Sequence, residues 1–303
     1  MAIASMATTF LLIAIGGLVR ATNSGLGCSG WPKCTPKRWL PPLEYHAIIE
    51  YSHRLTAFLD IVLIGLLAAI AWRHFRDSPR IVRPAMAAVG LVFVQAALGG
   101  IVVKGDLGAL LVTAHFATAM VLVGVLVWAV VASFSLDARL DHPADRLARL
   151  AVLTSALTFA LMAVGAYVRG ENAGLAFPDW PLMNGSLLPD LPSTPAVVHF
   201  AHRVLALAVG ALVSLLVARA WRDRRAKPAT ATLALLAAAL FVAQVLVGAA
   251  NVWSRLAAPA VVAHVAVASL MWGALVATTA TARIAGGSSQ AVARAAAMAA
   301  RGP

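Results

Sequence analysis

Eight apolar runs dominate the chain, at roughly residues 3–19, 46–72, 84–103, 108–135, 150–168, 196–218, 229–251 and 258–283. Each is close to the ~20 residues that an α-helix needs to cross hydrocarbon. Lipid offers no hydrogen-bond partner to a bare peptide group, so runs of this length must satisfy their backbones internally as helices. The composition agrees: 61% of residues are hydrophobic and only 12% charged, against about a quarter charged in soluble domains. The pattern predicts an all-α membrane protein with eight transmembrane helices, four in each half.

The two halves repeat. An offset of 149 residues carries Arg20 to Arg169, Trp31 to Trp180, His53 to His202, Trp72 to Trp221, Gln95 to Gln244, Gly99 to Gly248 and His115 to His264. The expected architecture is two tandem pseudo-symmetric four-helix bundles. Residues 1–135 form the N-terminal half, 136–149 a cytoplasmic linker, 150–284 the C-terminal half and 285–303 a cytoplasmic tail, expected to be disordered.

A net charge of +12 invites a nucleic-acid reading, but the distribution of the cations argues for topology instead. Fifteen of the 24 Lys and Arg residues fall in the loops after the second, fourth and sixth runs and in the tail. By the positive-inside rule this places both termini in the cytoplasm of a multi-pass plasma-membrane protein and requires no nucleic-acid partner. The first run resembles a signal peptide, yet Arg20 at its end matches Arg169 inside the chain, so it is kept as a helix. The stretch DARLDHPAD at 137–145 resembles a diphosphate-binding Asp-rich motif, but Arg139 and Arg146 interrupt or flank it and no second such loop follows. It is read as a solvated linker.

Ionisable groups inside membrane spans are costly and usually functional. Glu50, His53 and Asp60 share one stripe of the second run, and His53 and His115 each lie about seven residues into an inward-running helix, a depth of about 10 Å. His202 and His264 repeat the arrangement. Zinc or copper sites recruit further Cys, His or carboxylate ligands nearby, whereas paired imidazoles from separate helices suit the axial ligation of a haem held within a bundle. Arg20, Arg54, Arg169 and Arg203 are candidate propionate partners, with interfacial snorkelling as the alternative.

The halves differ chemically. Glu50 is matched by His199 and Asp60 by Val209, while Cys28 and Cys34 are matched by Phe177 and Met183. The first half therefore carries the features of a reactive site and the second those of a supporting one. The two cysteines, the only ones in the chain, lie in an outer loop that favours a disulfide; free thiols or a transient metal or redox site are the alternatives.

The runs GLGCSGWPKC and EYSHRLTA, then YVRGENAGLAFPDWPLMNGSLLP and HFAHRVLA, together with TAHF and VAHV, resemble the haem A synthase family over roughly residues 10–283. The resemblance implies oxidation of the ring methyl of haem O to a formyl group by successive hydroxylations, giving haem A for cytochrome oxidase assembly. It implies that His202 and His264 ligate a haem B cofactor, that His53 and His115 flank the substrate haem, that Glu50 is needed for turnover, and that Cys28 and Cys34 form a disulfide. Some members have a second cysteine pair in the later outer loop, which Phe177 and Met183 replace here. Haem O synthase and an electron acceptor are further expected partners, beside the lipid bilayer.

Two other classes compete. A di-haem electron carrier linked to quinol would alter neither haem and would leave Glu50 unexplained. A haem transporter or chaperone would need an exit path and would tolerate loss of Glu50.

Overall fold

A computed structural model of the chain describes residues 1–37, 39–134 and 146–284. Its helices are α1 (Ala2–Ala21), α2 (Tyr45–Phe75), α3 (Pro79–Lys104), α4 (Ala109–Ser133), α5 (Arg146–Gly170), α6 (Thr194–Arg222), α7 (Pro228–Trp253) and α8 (Ala258–Ile284), with one short 3₁₀ turn at Ala173–Leu175. All eight long helices are long and apolar enough to span a membrane. Each apolar run of the sequence became one helix. α2 and α6, at 31 and 29 residues, continue past their apolar runs to the arginines beyond, where exposed backbone and charge can meet water.

The Asp-rich stretch and the proposed tail lie outside the described residues. Arg146 to Arg149, assigned to the linker from sequence, already belong to α5.

Connections explain the order of packing. Within the first half α1 packs on α2, α2 on α3, α3 on α4 and α4 back on α1; α5 to α8 close a second ring in the same order. In each ring the pairs that carry the histidines, α2 with α4 and α6 with α8, stand across from one another without close backbone packing. The seam between the rings is made by α1 on α8, α4 on α5 and α4 on α8. Apolar side chains fill it: Ile13, Met120, Val123, Val127, Met162 and Trp272 are buried there, with Phe10, Phe116 and Phe159 packed against them.

Short turns close the α3–α4 and α7–α8 hairpins by left-handed backbone at non-glycine residues. Asp106 and Leu107 have φ of 49° and 60°, and Arg255 and Leu256 have 53° and 65°. Such conformations cost free energy outside glycine. Here they turn a leucine back under the outer loop: a methyl added at Gly25 would lie 3.1 Å from Leu107 Cδ1, and one at Gly174 3.3 Å from Leu256 Cδ1. Bare glycine at both places lets loop and turn touch.

One polar contact crosses the seam in its middle. Trp272 Nε1 donates to the backbone carbonyl of Met120, 2.8 Å away, and its ring stacks obliquely on Phe159. Replacing Trp272 by Phe keeps the ring and removes the hydrogen bond, which should cost about 1 kcal/mol. Trp272→Ala opens a cavity in the seam and should cost about 3–5 kcal/mol. Reversible unfolding of the purified protein in mixed detergent measures both.

Candidate functional site

Each histidine is seated against a glycine of a neighbouring helix. A Cβ built on Gly16 of α1 would lie 3.1 Å from Cε1 of His53, and one on Gly165 of α5 2.9 Å from Cε1 of His202. Gly99 and Gly248 stand in the same way to His115 and His264, at 3.5 and 3.4 Å. Nδ1 of all four rings is buried with no hydrogen-bond partner. His53 and His115 lie within electrostatic reach of each other, as do His202 and His264.

Unpartnered ring nitrogens in a hydrocarbon setting are expensive. A neutral buried imidazole with a ring nitrogen left unpartnered by the protein is one that a metal can ligate. Among the described residues no three His, Cys, Asp or Glu side chains gather as a metal cage. Two imidazoles per bundle, facing across the diagonal that the helices leave open, fit the two axial positions of a haem.

Glu50 occupies the floor of the outer loop and is almost fully buried. Its Oε2 accepts the backbone N–H of Cys28 at 2.7 Å, and its Oε1 is ion-paired with Arg54, one turn on. Arg54 also donates to the carbonyls of Gly30 and Lys33. Cys28 and Cys34 are joined by a disulfide, which packs with Ala47 and Tyr51 as a small buried cluster. Glycine is required beside it: a Cβ at Gly27 would fall 2.4 Å from the carbonyl of His46.

The second half builds the same roof from different chemistry. Phe177, Met183, Ala196 and Phe200 form the cluster that the disulfide, Ala47 and Tyr51 form in the first. His199 accepts from Arg203 Nε at 3.2 Å, and Arg203 donates further to the carbonyls of Leu182, Asp179 and Phe177. Backbone N–H groups, that of Gly185 first, hold the Asp179 carboxyl below its ordinary range.

The four candidate propionate partners divide into two kinds. Arg54 and Arg203 have their donors committed to loop carbonyls and to Glu50 or His199, so they act as loop tethers. Arg20 and Arg169 meet at the outer end of the seam, each donating to the other's backbone carbonyl at 3.2 and 3.3 Å, with both Nε atoms buried and unpartnered. Each lies one helical turn outward of the glycine that seats a histidine, Gly16 or Gly165.

Asp60 is separate from this group. It is fully buried two turns inward of His53 and accepts from Thr9 Oγ1 at 3.0 and 3.1 Å. The sequence did not signal the glycine seats at Gly16 and Gly165 or the contact of Cys28 with Glu50. Gln95, matched to Gln244 by the offset, donates from Nε2 to the backbone carbonyl of His115 at 2.8 Å. The same offset applied to every glycine would have flagged the seats.

Fold and site together define a class: a multi-pass helical membrane protein with two bundles, each carrying a buried histidine pair suited to haem. The family model for COX15-CtaA, described as cytochrome oxidase assembly protein, matches residues 1–48 and 42–276. Curated relatives named heme A synthase include that of Alkalihalophilus pseudofirmus, 31% identical over 86% of this chain and 89% of the relative. That of Halalkalibacterium halodurans is 34% identical over 69% and 71%, and that of Listeria welshimeri 30% over 86% and 87%. The chain belongs to the COX15-CtaA family.

The disulfide closes a short loop and should contribute about 2 kcal/mol. A Cys28→Ser, Cys34→Ser double variant should therefore still fold and keep its C-terminal histidine pair intact, with a more protease-sensitive outer loop around residues 28–34. Native, unreduced protein should resist thiol labelling; labelling of both cysteines would contradict the pairing.

Proposed function

We propose that this chain is a haem A synthase, an oxidoreductase that converts the ring methyl of haem O to the formyl group of haem A by successive hydroxylations. The observation that carries this reading is the inequality of two otherwise matched histidine sites. Beside His53 stands a carboxylate, Glu50, anchored by Cys28 N–H and Arg54; at the matching place beside His202 stands His199. A carrier of electrons alone would need neither the acid nor the difference.

The substrate haem is assigned to the N-terminal half, residues 1–135, between His53 and His115. A resident haem B is assigned to the C-terminal half, residues 150–284, between His202 and His264. His202 and His264 would hold that cofactor, which when bound would supply one-electron transfer. Gly16, Gly99, Gly165 and Gly248 keep the space in which the imidazoles turn. Arg20 and Arg169, the buried guanidinium groups with donors to spare, are placed to meet propionates at the outer edge of each site.

Glu50 does the acid–base work. Its two hydrogen bonds come from a backbone N–H and a guanidinium, so it is held in one orientation, and each oxygen retains an acceptor position. It can take a proton released at the ring substituent or stabilise positive charge developing there. The bilayer excludes competing water. Orientation with both termini in the cytoplasm of the plasma membrane follows from the cation distribution, and puts the two roofed loops and Glu50 on the outer side. Haem O synthase as donor of substrate and a separate electron acceptor complete the assignment.

Replacing His202 or His264 by Ala should remove the resident haem spectrum, whereas His53→Ala or His115→Ala should leave it and abolish haem A. Loss of the resident spectrum from the first-half variants alone would reverse the two sites. Glu50→Gln keeps shape and removes the charge; it should fold, retain the resident haem and lower haem A yield at least a hundredfold, with haem O or its alcohol accumulating on chromatography of extracted haems. A normal yield would remove Glu50 from the chemistry.

A further inference from the structure

Asp60 is unused by the reaction as assigned above. It sits in the middle of a span, fully buried, and its hydrogen-bond donor is the Thr9 hydroxyl of α1. Thr9 also donates to the carbonyl of Ser5 at 2.9 Å, and the Ser5 hydroxyl, one turn closer to the inner end of α1, is buried without a partner. The second half shows what packing alone requires here. Thr154 and Thr158 stand where Ser5 and Thr9 do, Thr158 donates to the Thr154 carbonyl at 2.8 Å, and the counterpart of Asp60 in the 149-residue offset is the fully buried Val209. The bundle can be built with valine.

No countercharge from the protein is near. α2 packs on α1 and α3, and α1 has no ionisable side chain before Arg20, nor α3 any between Arg83 and Lys104. α2 itself has none from Leu55 to Trp72 except Asp60, and α4, across the ring, has only His115. A carboxylate sealed in hydrocarbon must either find positive charge or bind a proton. The nearest positive charge that the haem reading provides is the oxidised iron porphyrin on His53, whose two neutral imidazoles leave it one net positive charge. Asp60 lies seven residues along α2 from His53, about 10 Å in axial distance, a range over which charges interact strongly in a poorly polarisable interior.

Resting on the assignment of a haem to His53 and His115, we propose that Asp60 is a proton-binding site coupled to the redox state of that iron. The Asp60 carboxylate balances the charge of the ferric state. When the iron takes one electron from a one-electron donor, Asp60 takes one proton from water at the inner end of the bundle, by way of Ser5 and Thr9, and becomes the neutral acid. Reoxidation returns the proton along the same hydroxyls. Glu50, on the outer side, is thereby free to handle the protons of the ring substituent.

The test is a spectroelectrochemical titration of the full-length protein in detergent, loaded anaerobically with haem O, at a series of pH values. In the unaltered protein the midpoint potential of the first-half haem should fall as pH rises. In Asp60→Asn it should be flat, coinciding with the unaltered protein at low pH and lying above it at high pH, because the carboxylate that favoured the ferric state is gone. The haem on His202 and His264 is the internal control and should respond identically in both. Redox-difference infrared spectra should show a carboxylic acid band on reduction that is absent in the variant. Asp60→Val, which installs the residue found at 209, is the second variant and should behave as Asp60→Asn. Equal pH slopes, or retention of the infrared band, overturn the proposal. Loss of the first-half haem from both variants makes Asp60 a packing residue and overturns it too. An unaltered protein that takes up haem only in its second half instead overturns the parent assignment.

Discussion

Hydrocarbon has no donors or acceptors to lend, and this constraint orders the whole molecule. Every polar group placed inside a span must be matched within the protein or held for something that arrives. Hydroxyls of the spans satisfy themselves on carbonyls one turn back, as Thr158 and Thr278 do. Among the described residues the groups left over are few: Nδ1 of His53, His115, His199, His202 and His264, Nε of Arg20 and Arg169, the amide oxygens of Gln95, Gln244 and Asn251, and the Ser5 hydroxyl.

Duplication supplied the frame and divergence supplied the chemistry. The glycine seats, the left-handed turns and the arginine tethers occur twice. Glu50, Asp60 and the disulfide occur once, all in the first half and all in contact with α2 or its roof. The disulfide is joined to Glu50 through the Cys28 N–H, so the loop that closes the site also orients its acid. In the second half Phe177 and Met183, at the positions matching the cysteines, form an apolar cluster with Ala196 and Phe200 instead.

Much of this was legible in the sequence because membrane spans are nearly one-dimensional objects. Their number follows from apolar length, and the equivalence of His53 with His202 and His115 with His264 follows from a constant offset. The roles of the arginines were not legible. Arg54 and Arg203 each follow a histidine directly, which drew them toward the haem, yet on a helix adjacent residues point about 100° apart, and these two turn to the loops. Those loops are irregular, and carbonyls presented by an irregular loop have no sequence signature. The reciprocal pair of Arg20 and Arg169 was also hidden, since only the association of the two rings brings the ends of α1 and α5, and two like charges, together.

The central claim is that one bundle transforms its haem while the other retains it. Acid–acetone extraction and mass analysis of the haems carried by the unaltered protein, purified from cells that also make haem O, addresses it directly. The account predicts two species in comparable amounts: an unmodified haem B, and a farnesylated haem distributed among haem O, its alcohol and the formylated haem A. Two haem B molecules per chain, with no formylated product in protein or membrane, would contradict it.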